Sequence, residues 1–130
     1  MGLNERRKMK ELQDVTLPER EKEIQEICGQ LIPYKVEWDS FADSLEALNF
    51  LDNLSCHRLN MALRVICQDE MGKEAVRDGL KGITLSNVAE PQAMEMTFDA
   101  GTLTMRCAYA KGTSGMFPDG DIRQLLIAKL

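Results

Sequence analysis

The chain has 130 residues, of which 44% are hydrophobic and 28% are charged, with a net charge of −5 and a sequence pI of about 4.9. Chains of this length usually fold as one domain, and the hydrophobic content argues against intrinsic disorder. The negative charge argues against general nucleic-acid binding, because phosphate backbones are bound mainly by lysine and arginine side chains.

The cysteine pattern and the lack of long apolar segments bear on the cellular compartment of the protein. Four cysteines are spread along the chain without a C-x-x-C pair, which is typical of free thiols in a reducing environment. The first residues contain no apolar run of the kind found in secretory signals, and no segment has the length of a membrane span. We therefore expect a cytoplasmic protein without membrane contact, and we predict no metal and no cofactor.

The first third of the chain predicts an arm, a helix and a short strand. Residues 1–15 are charged and weakly periodic, so we expect a flexible or helical N-terminal arm. Thr16 and Glu19 have the spacing of a capping box and predict a helix start, and Gly29 predicts its end. Apolar residues alternate over 32–38, which predicts a short strand.

Two serines precede further amphipathic segments in the middle of the chain. Ser40 and Ser55 are predicted as N-caps of helices over residues 40–53 and 56–71, each with apolar side chains along one side. A shorter helix is predicted over 73–80.

The hydrophobic period changes from 3.6 to 2 after Gly82. The alternation predicts three strands, within residues 83–86, 94–98 and 103–109. Residues 99–101 join the last two strands and have the composition of a three-residue hairpin turn with a left-handed glycine.

A last helix is predicted with Asp119 as its N-cap. Helices followed by consecutive strands predict an α+β fold, with the N-terminal helices packed on one face of a small antiparallel β-meander and the C-terminal helix closing it. We expect residues 16–130 to form this single domain.

Cys56 and His57 are the first candidate site. A thiol in the first turn of a helix is stabilised as thiolate by free backbone N–H groups, so Cys56 is a candidate nucleophile with His57 beside it. Adjacent helical residues point about 100° apart, however, and the chain has no other histidine to act as a base. A buried thiol next to a surface histidine is the competing interpretation.

A glycine-rich loop after the last predicted strand is the second candidate. Permissive glycines, two hydroxyls, free amides and one positive charge are the ingredients of an anion-binding loop, although the Walker spacing is absent. A flexible connector explains the same composition. The candidate ligand-binding residues are Lys111, Gly112, Thr113, Ser114 and Gly115.

An acidic helix face is the third candidate. In a helix over 40–53, the carboxylates of Asp39, Asp43 and Glu46 would share one side with Phe50. Metal binding is disfavoured there, since oxygen cages take ligands from loops as well as from one helix face. An exposed aromatic ring beside carboxylates favours contact with a protein, and a solvated helix face is the competing interpretation.

We therefore expect a small cytoplasmic protein that acts by protein–protein interaction through this acidic helix face. Its partner would carry a basic surface or would be a second copy of the chain. The alternative is a small-ligand-binding protein or enzyme that uses the Cys-His helix start and the Gly/Ser/Thr loop. An enzyme is less favoured than a protein without catalytic activity, because the single histidine excludes sites built from several imidazoles.

Overall fold

The computed structural model describes residues 2–130 and confirms the α+β class, with helices on one face of a four-stranded sheet. The helices are α1 (Leu3–Glu11), α2 (Leu17–Cys28), α3 (Leu45–Leu51), α4 (His57–Ile66), α5 (Glu70–Gly79) and α6 (Asp119–Lys129). The strands are β1 (Tyr34–Val36), β2 (Gly82–Asn87), β3 (Glu95–Asp99) and β4 (Thr102–Cys107). Short 3₁₀ segments lie at Trp38–Phe41, Pro91–Ala93 and Tyr109–Gly115.

Two of the predicted helix starts lie inside longer helices. α1 continues into α2 through a π-helical turn at Leu12–Thr16, and α3 continues into α4 through another at Asp52–Cys56. Thr16 has helical backbone angles (φ −67°, ψ −52°) and caps nothing, and Ser55 is buried within its π-helical turn. The predicted starts are wrong because the residues before them, such as Leu12, also pack in the core.

The N-terminal arm is helical over Leu3–Glu11 and contacts the rest of the chain. Met9 belongs to the hydrophobic core, and α1 packs against α3. The basic residues of the arm lie on its outer side, where Lys8 and Lys10 form ion pairs with acidic residues one turn later.

Other helix boundaries agree with the sequence or differ by a few residues. Gly29 ends α2 in the left-handed conformation (φ 78°), as predicted. α3 begins after Ser44, whose hydroxyl accepts a hydrogen bond from the Ala47 N–H at 3.3 Å, whereas Ser40 lies in a 3₁₀ turn. Asp119 is the first residue of α6 and not its cap.

The sheet is mixed and is not the predicted antiparallel meander. Its order is β1-β2-β4-β3, with β1, β2 and β4 parallel and only β3 antiparallel to its neighbour. β4 therefore lies between two strands that are consecutive in sequence. The burial of the strands gives the physical reason, because Leu103, Met105 and Cys107 of β4 are fully buried whereas β3 is half-buried or exposed along its length. The more apolar strand occupies the centre of the sheet.

The β3–β4 hairpin is confirmed, with a turn one residue shorter than predicted. Asp99 pairs with Thr102, so the turn contains only Ala100 and Gly101. Both turn residues have positive φ, 51° and 83°, which is the pattern of a type I′ turn.

The two faces of the sheet differ in polarity, as strand alternation requires. The face under the helices carries Tyr34, Val36, Ile83, Leu85, Leu103 and Met105, all of which belong to the core. The opposite face carries one polar row across the four strands, formed by Lys35, Thr84, Thr104 and Thr97. The hydrophobic core is thus continuous on one side of the sheet only.

Candidate functional site

Cys56 lies in the interior of the molecule and not at a helix start. It is the last residue of the second π-helical turn, within the continuous helix from α3 to α4, and the N–H of the following His57 donates to the Asp52 carbonyl. Burial raises the pKa of the Cys56 thiol well above its usual value, and the charge of Asp52 raises it further. The free N–H groups that would activate this thiol are absent from its position, since the helix continues on both sides. His57 is half-buried.

The glycine-rich loop forms 3₁₀ turns and not an open cradle. The Lys111 N–H donates to the Ala108 carbonyl at 2.9 Å, and Gly115 is buried so closely against that carbonyl that a side chain would not fit. Gly112 has positive φ (66°) and marks a kink between two turns. The side chains of Lys111, Thr113 and Ser114 are exposed.

The structure places the Cys56 segment next to the loop segment. Ser55, which precedes Cys56, shares a 2.6 Å hydrogen bond with the hydroxyl of Tyr109, the first residue of the 3₁₀ segment. Both of these residues are fully buried. The two parts of the predicted ligand site are therefore neighbours, and packed side chains join them.

The predicted acidic helix face is divided between three local structures. Asp39 lies in the 3₁₀ turn after β1, Asp43 has left-handed backbone angles before α3, and only Glu46 and Phe50 are on the helix, four residues apart. The single-face prediction is wrong because the helix begins five residues later than expected, at Leu45. All four predicted contact residues are nonetheless exposed. The neighbouring depression of about 600 Å³ is formed by consecutive residues of the 3₁₀ turn.

A polar network that the sequence did not reveal joins α2 to the α3–α4 helix and β1. The Arg20 guanidinium donates to both carboxylate oxygens of Asp52, at 2.7 and 3.0 Å, and to Glu23 at 3.0 Å. Asn60 donates to Glu23 at 2.7 Å and accepts from the Tyr34 hydroxyl at 2.8 Å. Periodicity predicts which side of a helix is polar but not which polar groups meet, so this network was missed. Its groups are paired with one another, which is typical of a structural network.

The structure also contains an apolar groove among α4, α5 and α6. Its volume is about 410 Å³. Of the residues that the structure describes, Asp69 is its one charged lining residue, and its other lining residues include Val65, Met71, Ala75, Ile127 and Leu130. Met71 is 80% exposed, Ile127 60% and Val65 41%. These three side chains belong to three different helices, so the exposed apolar surface is continuous only in the folded molecule.

The sequence contained a partial signal for this groove. Ile127 lies off the inward stripe of the last helix, and Val65 lies at the margin of the apolar stripe of α4. Val65 is apolar like the stripe that it borders on α4, but its side chain is exposed. Only the packing of α5 and α6 against α4 shows that the off-stripe residues meet.

Within residues 2–130, no group of three or more histidine, cysteine, aspartate or glutamate residues is arranged to hold a metal ion. No helix among those residues has the length and apolar character needed to cross a membrane. Comparison of the chain with protein-family models, with curated proteins and with solved structures finds no match.

Proposed function

We propose that this protein is a protein-interaction domain that binds a segment of its partner in the apolar groove among α4, α5 and α6. The observation that supports this proposal is the convergence of three exposed apolar side chains, Val65, Met71 and Ile127, on one concave surface. Single exposed apolar residues are common on proteins, but contiguous concave patches are typical of binding sites.

Met71 is the central residue of this argument. An unbranched thioether adapts to differently shaped partners, and methionine is frequent on surfaces that bind peptides. With 80% of its surface exposed, Met71 contributes little to the core. The fold therefore does not explain its apolar character, whereas binding does.

The acidic segment supports a second candidate surface for the same function. Phe50 is 38% exposed and lies one turn from Glu46 on α3, so both side chains face the same side of the helix. A partner with a basic surface, or a second copy of the chain, would bind there. The groove has the stronger support because its apolar residues converge from three elements, whereas Phe50 stands beside polar residues on one helix.

The alternative of a small-ligand-binding protein or enzyme has less support. Its proposed nucleophile, Cys56, is buried with a raised pKa, and the proposed anion-binding loop has its glycine Gly115 packed against a carbonyl. A cytoplasmic location is part of our proposal, since all four cysteines are free and buried, as expected of thiols in a reducing compartment.

A peptide-display selection tests the proposed function. A library of random peptides is selected on the wild-type protein and, in parallel, on the variant Met71→Glu/Ile127→Glu, which places charges in the groove. Leu31→Glu is the matched control, because Leu31 is 56% exposed and does not line the groove. We expect peptides that bind the wild type and the Leu31→Glu control but not the groove variant.

Two other results would contradict the proposal in different ways. If the enriched peptides bind the groove variant as well as the wild type, the groove is not the binding surface. If Glu46→Lys abolishes their binding while the groove variant retains it, the acidic segment around Phe50 is the surface instead.

A further inference from the structure

We infer that the segment bound in the groove is an amphipathic α-helix that carries lysine or arginine along the flank facing α5. This inference rests on the proposed function and specifies the chemistry of the partner. It depends on the secondary structure of the groove walls and on the distribution of charge around α5.

The walls of the groove favour a helical ligand. They are formed by residues at the end of α4, in the first two turns of α5 and at the end of α6. No strand of the sheet lines the groove, so an extended peptide would find no edge with which to form backbone hydrogen bonds. A helix satisfies its own backbone and binds such a groove through apolar side chains spaced three and four residues apart.

The charges of α5 are segregated around its axis. Glu70, Glu74 and Asp78 are exposed and follow one another at four-residue spacing, so they form one stripe along the helix. At 100° per residue, this stripe directly borders Met71 and therefore the groove. The basic residues of α5, Lys73 and Arg77, lie on the other side of the stripe, away from Met71.

The acidic stripe is unfavourable for the isolated domain. Like charges four residues apart on a helix repel one another. Among residues 2–130, Glu70 has one ion pair, with Lys73 at 3.9 Å, and neither Glu74 nor Asp78 has an ion pair. A ligand with lysine or arginine along the bordering flank would reduce this repulsion on binding.

The opposite wall of the groove is formed by the end of α6. The residues that line this wall, Ile127 and Leu130, have uncharged apolar side chains. The acidic stripe of α5 on the other wall therefore determines which flank of the ligand is basic. The predicted ligand is basic toward α5 and apolar or neutral toward α6.

Two synthetic helical peptides test this inference. Both have the same apolar face of leucine and methionine at helical spacing, and they differ only in one flank, which carries lysine and arginine in one peptide and glutamate in the other. Fluorescence anisotropy of labelled peptides gives their affinities for the wild-type protein. We expect the basic peptide to bind about tenfold more tightly, from several exposed charge pairs, and the difference to shrink as salt approaches about 1 M.

Two variants assign this difference to α5. Glu70→Lys/Glu74→Lys should reverse the preference between the peptides. Glu19→Lys/Glu26→Lys makes the same charge change on the exposed side of α2 and should leave the preference in place. Met71→Glu/Ile127→Glu should abolish binding of both peptides.

The outcomes separate this inference from the proposed function. Equal affinity of the two peptides, or failure of the basic peptide to bind, would overturn the inference. Persistent binding of the basic peptide to the Met71→Glu/Ile127→Glu variant would overturn it too, because binding would then occur outside the groove. The proposed function would survive any of these results if peptides selected from the random library still bound in a groove-dependent manner.

Discussion

Arg20 shows how single polar residues connect the helices of this fold. Its guanidinium joins α2 to the π-helical turn between α3 and α4 through two hydrogen bonds to Asp52. These hydrogen bonds raise the pKa of Arg20 above its ordinary value by more than burial lowers it, so the group stays charged. Because both side chains are mostly shielded from water, the pair contributes more than a surface ion pair does.

Removal of one charge from this pair gives the first prediction. Asp52→Asn should lower the free energy of unfolding by about 1–2 kcal/mol, since the partly buried guanidinium loses a bidentate acceptor. Urea denaturation measures the change. Asp14→Asn is the control, because Asp14 pairs with Lys10 at 3.0 Å on the open surface, and we expect a loss below about 0.5 kcal/mol there. Equal losses at the two sites would show that the Arg20 pair behaves as an ordinary surface pair.

Glu23 gives a prediction about pH. Burial raises the pKa of Glu23, but hydrogen bonds from Asn60 and Arg20 outweigh burial, so the pKa lies below its usual value of 4.5. A carboxyl group whose pKa is lower in the folded state stabilises the fold above its unfolded pKa, and this contribution is lost as pH falls through the folded pKa. The unfolding free energy of the wild type should therefore decrease below pH 4.5 more steeply than that of Glu23→Gln. Parallel pH profiles would contradict the assignment.

The four thiols give a prediction that bears on the enzyme alternative. Burial raises the pKa of each, to about 11 for Cys67 and well above the usual value for Cys56. Since the thiolate is the reactive form, iodoacetamide at about pH 8 should alkylate the native protein slowly, Cys67 before Cys56. Mass spectrometry of digested samples identifies the order, with the urea-unfolded protein as control. Rapid modification of native Cys56 would restore it as a candidate nucleophile.

Among the secondary-structure elements, features formed by residues close in sequence were predicted correctly more often than features that depend on contacts between distant residues. The hairpin between β3 and β4 follows from two alternating runs joined by Ala100-Gly101, all close in sequence. The order β1-β2-β4-β3 depends instead on which strand is buried most deeply. The alternation of apolar and polar residues along a strand does not predict how deeply that strand is buried. The interpretation of three consecutive strands as a meander failed for this reason.

The helix boundaries show the same limit. Thr16 and Ser55 have the residue type of N-caps, but tertiary packing of the turns before them extends the helix through both positions. Cys56 was a candidate site only because a helix was expected to begin there. The exposure of Asp39, Asp43, Glu46 and Phe50 was anticipated, but their shared helix face depended on a start at Ser40 that packing does not provide.

The turn between β3 and β4 gives a prediction about stability. Ala100 adopts φ 51°, a left-handed conformation that costs a residue with a Cβ about 1–2 kcal/mol, whereas asparagine tolerates it. Ala100→Asn should therefore raise the free energy of unfolding by about 0.5–1 kcal/mol. Thermal unfolding monitored by circular dichroism measures the effect. Ala89→Asn is the control, because Ala89 is exposed and has no positive φ, and a similar gain there would exclude the turn as the cause.

For the whole molecule, one side of the helices packs in the core and another side lines the exposed apolar groove. One side of α4 packs in the core through Leu59, Ala62 and Leu63, while Val65 opens into the groove with residues of α5 and α6. Contacts between residues distant in sequence determine which side of α4 is exposed, because the groove forms only where α4, α5 and α6 meet. Hydrophobic periods therefore place Val65 and Ile127 away from the core stripes of their helices but do not show that the two residues meet, and they give no signal for the polar network.

The last prediction is that folding and binding can be separated by mutation. Met71→Gln and Ile127→Gln should each change the free energy of unfolding by less than about 0.5 kcal/mol, because both side chains are mostly exposed. Leu63→Ala, at a fully buried position of α4, should cost about 2–5 kcal/mol. The groove-dependent peptides should lose affinity for the two glutamine variants and keep it for Leu63→Ala at temperatures where that variant is folded. If Met71→Gln or Ile127→Gln instead unfolded the protein, their apolar character would serve the fold, and the groove would lose its support as a binding surface.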